Sequence, residues 1–313
     1  PVATAAEAPR GDESRREAME LLIQRGDYAG AAQMCDAQGD LARGADLYLK
    51  AGLFTEAAAN FEHIGEHARA GEAFLKAGDP ERAAASFAKG GDAARGYAAL
   101  SGYWYDQGDA RQAAQWAEKA GDLIQAATYC QEIGELSRAA DLFFRGGFFS
   151  EAADIFSLLN DLPRAAEAFA KAGRPLEAAQ VLERAGGEPK RTAELYEQAG
   201  EFYPAGRLFA KLGELDRALT ALQQIDASAQ HYPQASMLVG MIFLKRGQAG
   251  LAQEKFTKVI AGRPIQRATL EPYYFLALCH ERAGEKDKAR EVFEKILAED
   301  YNFRDVKARL AAR

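Results

Sequence analysis

The side chains able to do chemistry in this sequence are few, and their spacing assembles none of the usual sites. His63 and His67 are four apart, the interval at which two imidazoles on one helix face can hold a divalent metal. Gly65 stands between them, and a helix-ending glycine there puts the two rings on different helices, while Glu66 completes no known ligand triad. His231 and His280 are isolated from any nucleophile in a recognisable motif. Three cysteines in 313 residues contain no Cys-x-x-Cys and are too few for a disulfide framework. Lys89-Gly90-Gly91-Asp92 is a helix turn, and no Gly-x-x-x-x-Gly-Lys-Ser/Thr phosphate cradle occurs. The reading is therefore a chain without catalytic residues, metal or cofactor, and not an enzyme.

What positions these residues is a rhythm of glycines. Gly26, Gly39, Gly52, Gly65, Gly78 and Gly91 are thirteen apart, as are Gly108, Gly121, Gly134 and Gly147, and the beat returns at Gly173, Gly187, Gly200 and Gly213. A fixed period is the mark of a repeat solenoid, in which each unit packs on its neighbours. Five residues after each glycine comes a small residue, such as Ala57, Ala70 or Ala83, and nine after it a large one, such as Phe61, Phe74 or Phe87. Positions four apart share a helix face, so each unit predicts one short amphipathic helix with a small contact point beside an aromatic. Cys35 and Cys130 hold that ninth position, which assigns them to core packing, as does the mid-helix place of Cys279.

The turns obey the same logic. Glycine ends one helix in the left-handed conformation and the following acid, as in Gly39-Asp40 or Gly134-Glu135, caps the next, while Lys or Arg two residues before the glycine complements the outgoing dipole. Gly91 to Gly108 is four residues longer than the period, close to one added helical turn. Asn160-Asp161 replaces Gly-Asp, and the Gly186-Gly187 pair shifts the register by one residue.

After Gln224 the units lengthen. Around Gly247, the residues Val239, Gly240, Phe243, Ala252, Phe256, Val259 and Pro264 follow the order apolar, small, aromatic, small, aromatic, apolar, terminal proline; around Gly284, Tyr273, Leu276, Ala277, Ala289, Phe293 and Ile296 repeat it. This stretch resembles the tetratricopeptide repeat (TPR) family, with His280 at an aromatic position and Tyr301 in place of the proline. The resemblance implies an all-α, right-handed α-solenoid of short helical hairpins ending in two TPR repeats and a capping helix at 302–313. The domain reading is a flexible tail at 1–13, a short-helix solenoid at 14–225 and the TPR repeats with their cap at 226–313, with the Pro/Ala-rich start at Pro1 suggesting a piece of a longer chain.

A net charge of −7 argues against nucleic acid, and no apolar run is long enough to insert in a membrane. The expected role is a cytoplasmic scaffold or adaptor that binds another protein, a folded domain or a peptide, through its solenoid surface. The alanine- and arginine-rich cadence resembles bacterial TPR scaffolds of motility, polarity and signalling assemblies, some of which bind a small Ras-like GTPase. The alternative is a regulatory sensor whose groove holds a short peptide or small signal molecule.

Departures from the template mark candidate contacts. Tyr103, Trp104 and Tyr105 span about 200° of helix and cannot all face the core. Phe144 sits one past the usual aromatic, Phe148 sits where Asp normally caps, and Leu53 shares that odd position. Arg69 and Arg95 belong to a row of arginines preceding the small residue, placed either to grip an acidic peptide or to make local ion pairs on a solvated face.

Overall fold

A computed structural model describes residues 10–311, so residues 1–9 of the expected tail lie outside the described residues, while 10–13 belong to the first helix. The described residues hold α-helices, one 3₁₀ turn and no strand. They form two compact units, one ending at Ile155 and one starting at Phe156. The first contains α1 (Arg10–Gln24), α2 (Tyr28–Gln38), α3 (Leu41–Ala51), α4 (Phe54–His63), α5 (His67–Lys76), α6 (Pro80–Lys89), α7 (Ala93–Asp106), α8 (Ala110–Ala120), α9 (Leu123–Glu132) and α10 (Leu136–Arg145). α11 (Phe149–Leu158) runs through the boundary. The second continues with α12 (Leu162–Lys171), α13 (Pro175–Ala185), α14 (Pro189–Gln198), α15 (Phe202–Leu212), α16 (Leu215–Gln223), α17 (Tyr232–Lys245), α18 (Ala249–Ile260), α19 (Leu270–Arg282), α20 (Lys286–Glu299) and α21 (Val306–Ala311). The lengthening read at 226 appears as helices of 12 to 14 residues from α17 to α20, inside the second unit.

Within each unit consecutive helices pack on one another, which makes an α-solenoid of hairpins. Helices of ten or eleven residues are marginal alone in water, so this stacking supplies their stability. The mechanism is visible where a ring meets a missing side chain: Phe87 lies on Gly71, where a Cβ would come within 2.8 Å of the ring, and Phe256 lies on Gly240 in the same way. Phe61, Phe87, Phe156, Phe209, Phe256 and Phe293 are all but fully buried. Cys35, Cys130 and Cys279 are buried too, with burial pushing the Cys279 thiol up to about 11.

The glycine beat marks helix ends as expected, at positive φ throughout the series except at Gly187. There the register reading needs correction. Gly186, at φ 64°, is the residue that ends α13, and it falls thirteen after Gly173; the extra residue is Gly187, inserted after the turn, with its N–H on the Leu182 carbonyl. Asn160 takes the left-handed position at φ 57°, as its replacement of glycine predicts. The capping acids divide by length. Asp27, Asp40, Asp79, Asp92, Asp109, Asp122 and Asp161 each accept the N–H three residues on, but Glu66, Glu135, Glu201 and Glu214 at the same post do not. One more methylene carries the carboxylate past the helix end, and Glu66, Glu135 and Glu214 bind the third-position arginines Arg69, Arg138 and Arg217 instead. Of the expected cap at 302–313, residues 312–313 lie outside the described residues, 302–305 form turns, and α21 begins at Val306, which is buried against Tyr274 and its neighbours.

Candidate functional site

The arginine row is built by the period itself. An arginine at the third residue of a helix lies eight positions after the core aromatic of the previous unit, which sets it over that ring: Arg69 over Phe61 at 4.1 Å, Arg95 over Phe87 at 4.7 Å and Arg217 over Phe209 at 4.0 Å. Each is then gripped by an acid on the helix two units earlier, Asp46 for Arg69, Glu72 for Arg95 at 2.9 Å, and Glu194 for Arg217 at 3.0 Å. Arg69 and Arg95 thus already have carboxylates of their own chain, and of the two uses read from sequence the geometry shows local ion pairs.

The same two-unit reach recurs with other groups. Glu118 of α8 holds both Arg138 and Arg145 of α10, and the Arg145 hydrogen bond holds its carboxyl below the usual range. Asp36 accepts from Tyr48 and from Asn60; burial, then this bond, push the Tyr48 phenol up to about 12. In the second unit Glu183 accepts from Tyr196 at 2.6 Å and Arg207 at 2.8 Å, and the Tyr196 phenol is raised to about 12 by burial and by that carboxylate.

The aromatic departures are partly surface. Tyr103 and Tyr105, at the end of the lengthened α7, are 38% and 42% exposed. Trp104 between them is half-buried and meets Tyr103 edge-on at 5.5 Å, while Tyr105 stacks on Tyr129 of α9 at 4.5 Å. Phe144 and Phe148 are both half-buried and are not paired with each other: Phe144 meets Phe149 edge-on at 5.3 Å and Phe148 leans on Phe143 at 6.5 Å. Leu53 packs on the first core. His63 ends α4 and His67 begins α5, and among the described residues no group of three metal-binding side chains is found.

Two features of the second unit were not picked out from sequence. Leu158 is 73% exposed in the post that Lys50, Lys76, Lys89 and Lys171 hold before other turns, a departure the rhythm does display. Beside it, Ser157, Phe169, Glu177, Gln180, Val181, Glu183, Arg184 and Tyr196 line a cleft of about 590 Å³. A second cleft shares Gln180 and Tyr196 and continues to Glu201, Tyr203, Pro204, Arg207 and His231, with Tyr203 and His231 stacked at 4.9 Å. No sequence signal announces an open cleft, because its lining comes from four successive helices, α11 to α14.

Residues 273–300, which cover most of α19 and α20, match the tetratricopeptide repeat family model. No curated protein matches the chain. Solved structures similar to it include YrrB, a TPR protein with an unusual peptide-binding site (20% identity, 60% of this chain and 89% of that one, TM-score 0.33). The P58(IPK) TPR domain (14%, 96% and 96%, TM-score 0.33) and MamA (22%, 54% and 96%, TM-score 0.31) are others. Among the described residues no helix is long and apolar enough to cross a membrane. Residues 273–300 thus match a tetratricopeptide repeat, and in both units the helical hairpins of an α-solenoid are closed by the same glycine turns.

Proposed function

We propose that this chain is a non-catalytic scaffold or adaptor that binds another protein through its helical surface. TPR-like repeats are interaction modules, and the observation that supports the reading here is how the chain spends its polar groups. The arginines of the row that stack on core rings pair with carboxylates of the chain, the cysteines are buried, and the aromatic groups of α7 stand partly in solvent. Tyr and Trp with a wet edge are the residue types that dominate partner binding. Tyr103, Trp104 and Tyr105 are the contact we assign, with Phe144 and Phe148 as a second, half-buried patch. The partner is a protein rather than nucleic acid, given the net charge of −7. The finer reading, a cytoplasmic bacterial motility, polarity or signalling assembly with a small Ras-like GTPase as partner, rests on cadence alone.

The test is quantitative affinity capture from the native cell with the wild-type chain and with Tyr103→Ser/Tyr105→Ser, followed by mass spectrometry. A partner enriched by the wild type and reduced at least tenfold by a variant of unchanged melting temperature supports the assignment; equal capture by both removes it. The alternative, a groove for a short peptide, is favoured by the clefts between Ser157 and His231.

A further inference from the structure

In the first unit the post two residues before a turn glycine repeatedly carries a cation: Lys50, Lys76, Lys89, Lys119 and Arg145 stand there in the last turns of α3, α5, α6, α8 and α10. Each complements the partial negative charge of its helix C-terminus. In α7 and α9 the same post is held by Asp106 and Glu132, each the last residue of its helix, and neither last turn contains a basic residue. The charge is reversed twice, and on neighbouring helices, since Tyr105 of α7 stacks on Tyr129 of α9 and donates its hydroxyl to Glu132 at 3.4 Å. An acid at a helix C-terminus works against the dipole, so these two ends lack the cation that the period supplies elsewhere.

Asp106 and Glu132 are exposed and form no ion pair among the described residues, while Arg111 of α8 and Arg138 of α10 are held by Glu135 and Glu118. The charge of Glu132 is the main cause that raises the Tyr105 phenol above its ordinary value. Elsewhere the chain displays what such a combination of ring and acid takes. Arg69, Arg95 and Arg217 each lay a guanidinium on an aromatic ring and against a carboxylate of another helix. Rings and carboxylates stand together at the ends of α7 and α9 too, with Tyr103 and Tyr105 partly in solvent, but the third-position post that would bring an arginine is held by Gln112 in α8 and Gln125 in α9. We propose that an arginine of the partner protein completes this site, its guanidinium lying on the exposed Tyr103 and Tyr105 rings and pairing with Asp106 and Glu132. Lysine supplies the charge but neither the flat face nor the fork. This rests on the protein-binding reading above and gives the partner a chemistry.

The probe is a fluorescein-labelled peptide, blocked at both ends, with Arg-Gly-Arg in a Gly/Ser frame, titrated against the full chain by fluorescence anisotropy at low ionic strength. Saturable binding is expected, weakened at least tenfold by Tyr103→Ser/Tyr105→Ser and when both peptide arginines become Lys. Asp106→Lys/Glu132→Lys installs the residue that holds this post in other helices, so it should abolish binding while the melting temperature does not fall. Should that variant fold poorly, the near-isosteric Asp106→Asn/Glu132→Gln carries the test. Glu17→Lys/Glu20→Lys on α1 makes the same change of net charge and should bind as the wild type does. Absence of saturation up to about 1 mM, equal binding by Asp106→Lys/Glu132→Lys or by the Lys-Gly-Lys peptide, or an equal loss in Glu17→Lys/Glu20→Lys overturns the proposal. Capture of a partner that depends on Tyr103 and Tyr105 but survives Asp106→Lys/Glu132→Lys would remove the arginine alone; loss of all specific capture would remove the broader reading.

Discussion

Asp79 and Glu66 occupy equivalent posts and do different work, which is a statement about one methylene. Asp79 accepts the Arg82 N–H at 3.0 Å, so Asp79→Ala should destabilise by about 1 kcal/mol in urea unfolding. Glu66 makes no such bond and only an exposed pair with Arg69, so Glu66→Ala should cost less than about 0.5 kcal/mol. The two phenols that donate to carboxylates, Tyr48 to Asp36 and Tyr196 to Glu183, set an alkaline limit. Tyr48 and Tyr196 are raised from 10.0 to about 12, so the folded state favours their protonated forms; their stabilisation is complete below pH 10 and is lost as pH rises towards 12. Spectrophotometric titration of Tyr48→Phe/Tyr196→Phe should lack the highest-titrating part of the wild-type curve, and its melting temperature should fall less steeply above pH 10.

At the scale of an element, glycine has opposite meanings in a turn and in a helix. Gly78 sits at φ 77°, a conformation that costs an L side chain about 1–2 kcal/mol, so Gly78→Ala should destabilise by that amount. Gly102 lies inside α7 with nothing within 4 Å of an added Cβ, so Gly102→Ala should stabilise by about 0.5–1 kcal/mol, measured by the same unfolding curves. Inter-helix bridges act across elements as well: the Glu118 carboxyl is held low by Arg145 and Arg138, so its contribution is present above its ordinary value of 4.5 and is lost as pH falls through the depressed one. Glu118→Gln should flatten the acid limb of a melting-temperature profile.

For the whole molecule, stability is built from neighbour contacts, so damage should stay local. Phe61 is fully buried in the core that runs from Met19 to Phe87, and Phe61→Ala should cost about 3–5 kcal/mol there. Hydrogen exchange should then speed up in α3 to α6 while protection in α17 to α20 is retained, as expected for a repeat array; uniform loss of protection would count against it.

The sequence by itself determined the helices, their ends and most of the core, because a thirteen-residue period ties turn glycines, small residues and aromatics to fixed offsets that local physics reads directly. It also displayed the exposed aromatics at Tyr103 and Tyr105, since three consecutive rings cannot share one face. It could not say that Arg69 and Arg95 are already paired, because Asp46 and Glu72 meet them only across two helices. Nor could it place the single extra residue at Gly187 rather than Gly186, which hangs on which glycine takes positive φ. The cleft at Ser157 belonged to tertiary structure for the same reason: Ser157, Phe169, Val181 and Tyr196 line it from four successive helices that meet only on stacking.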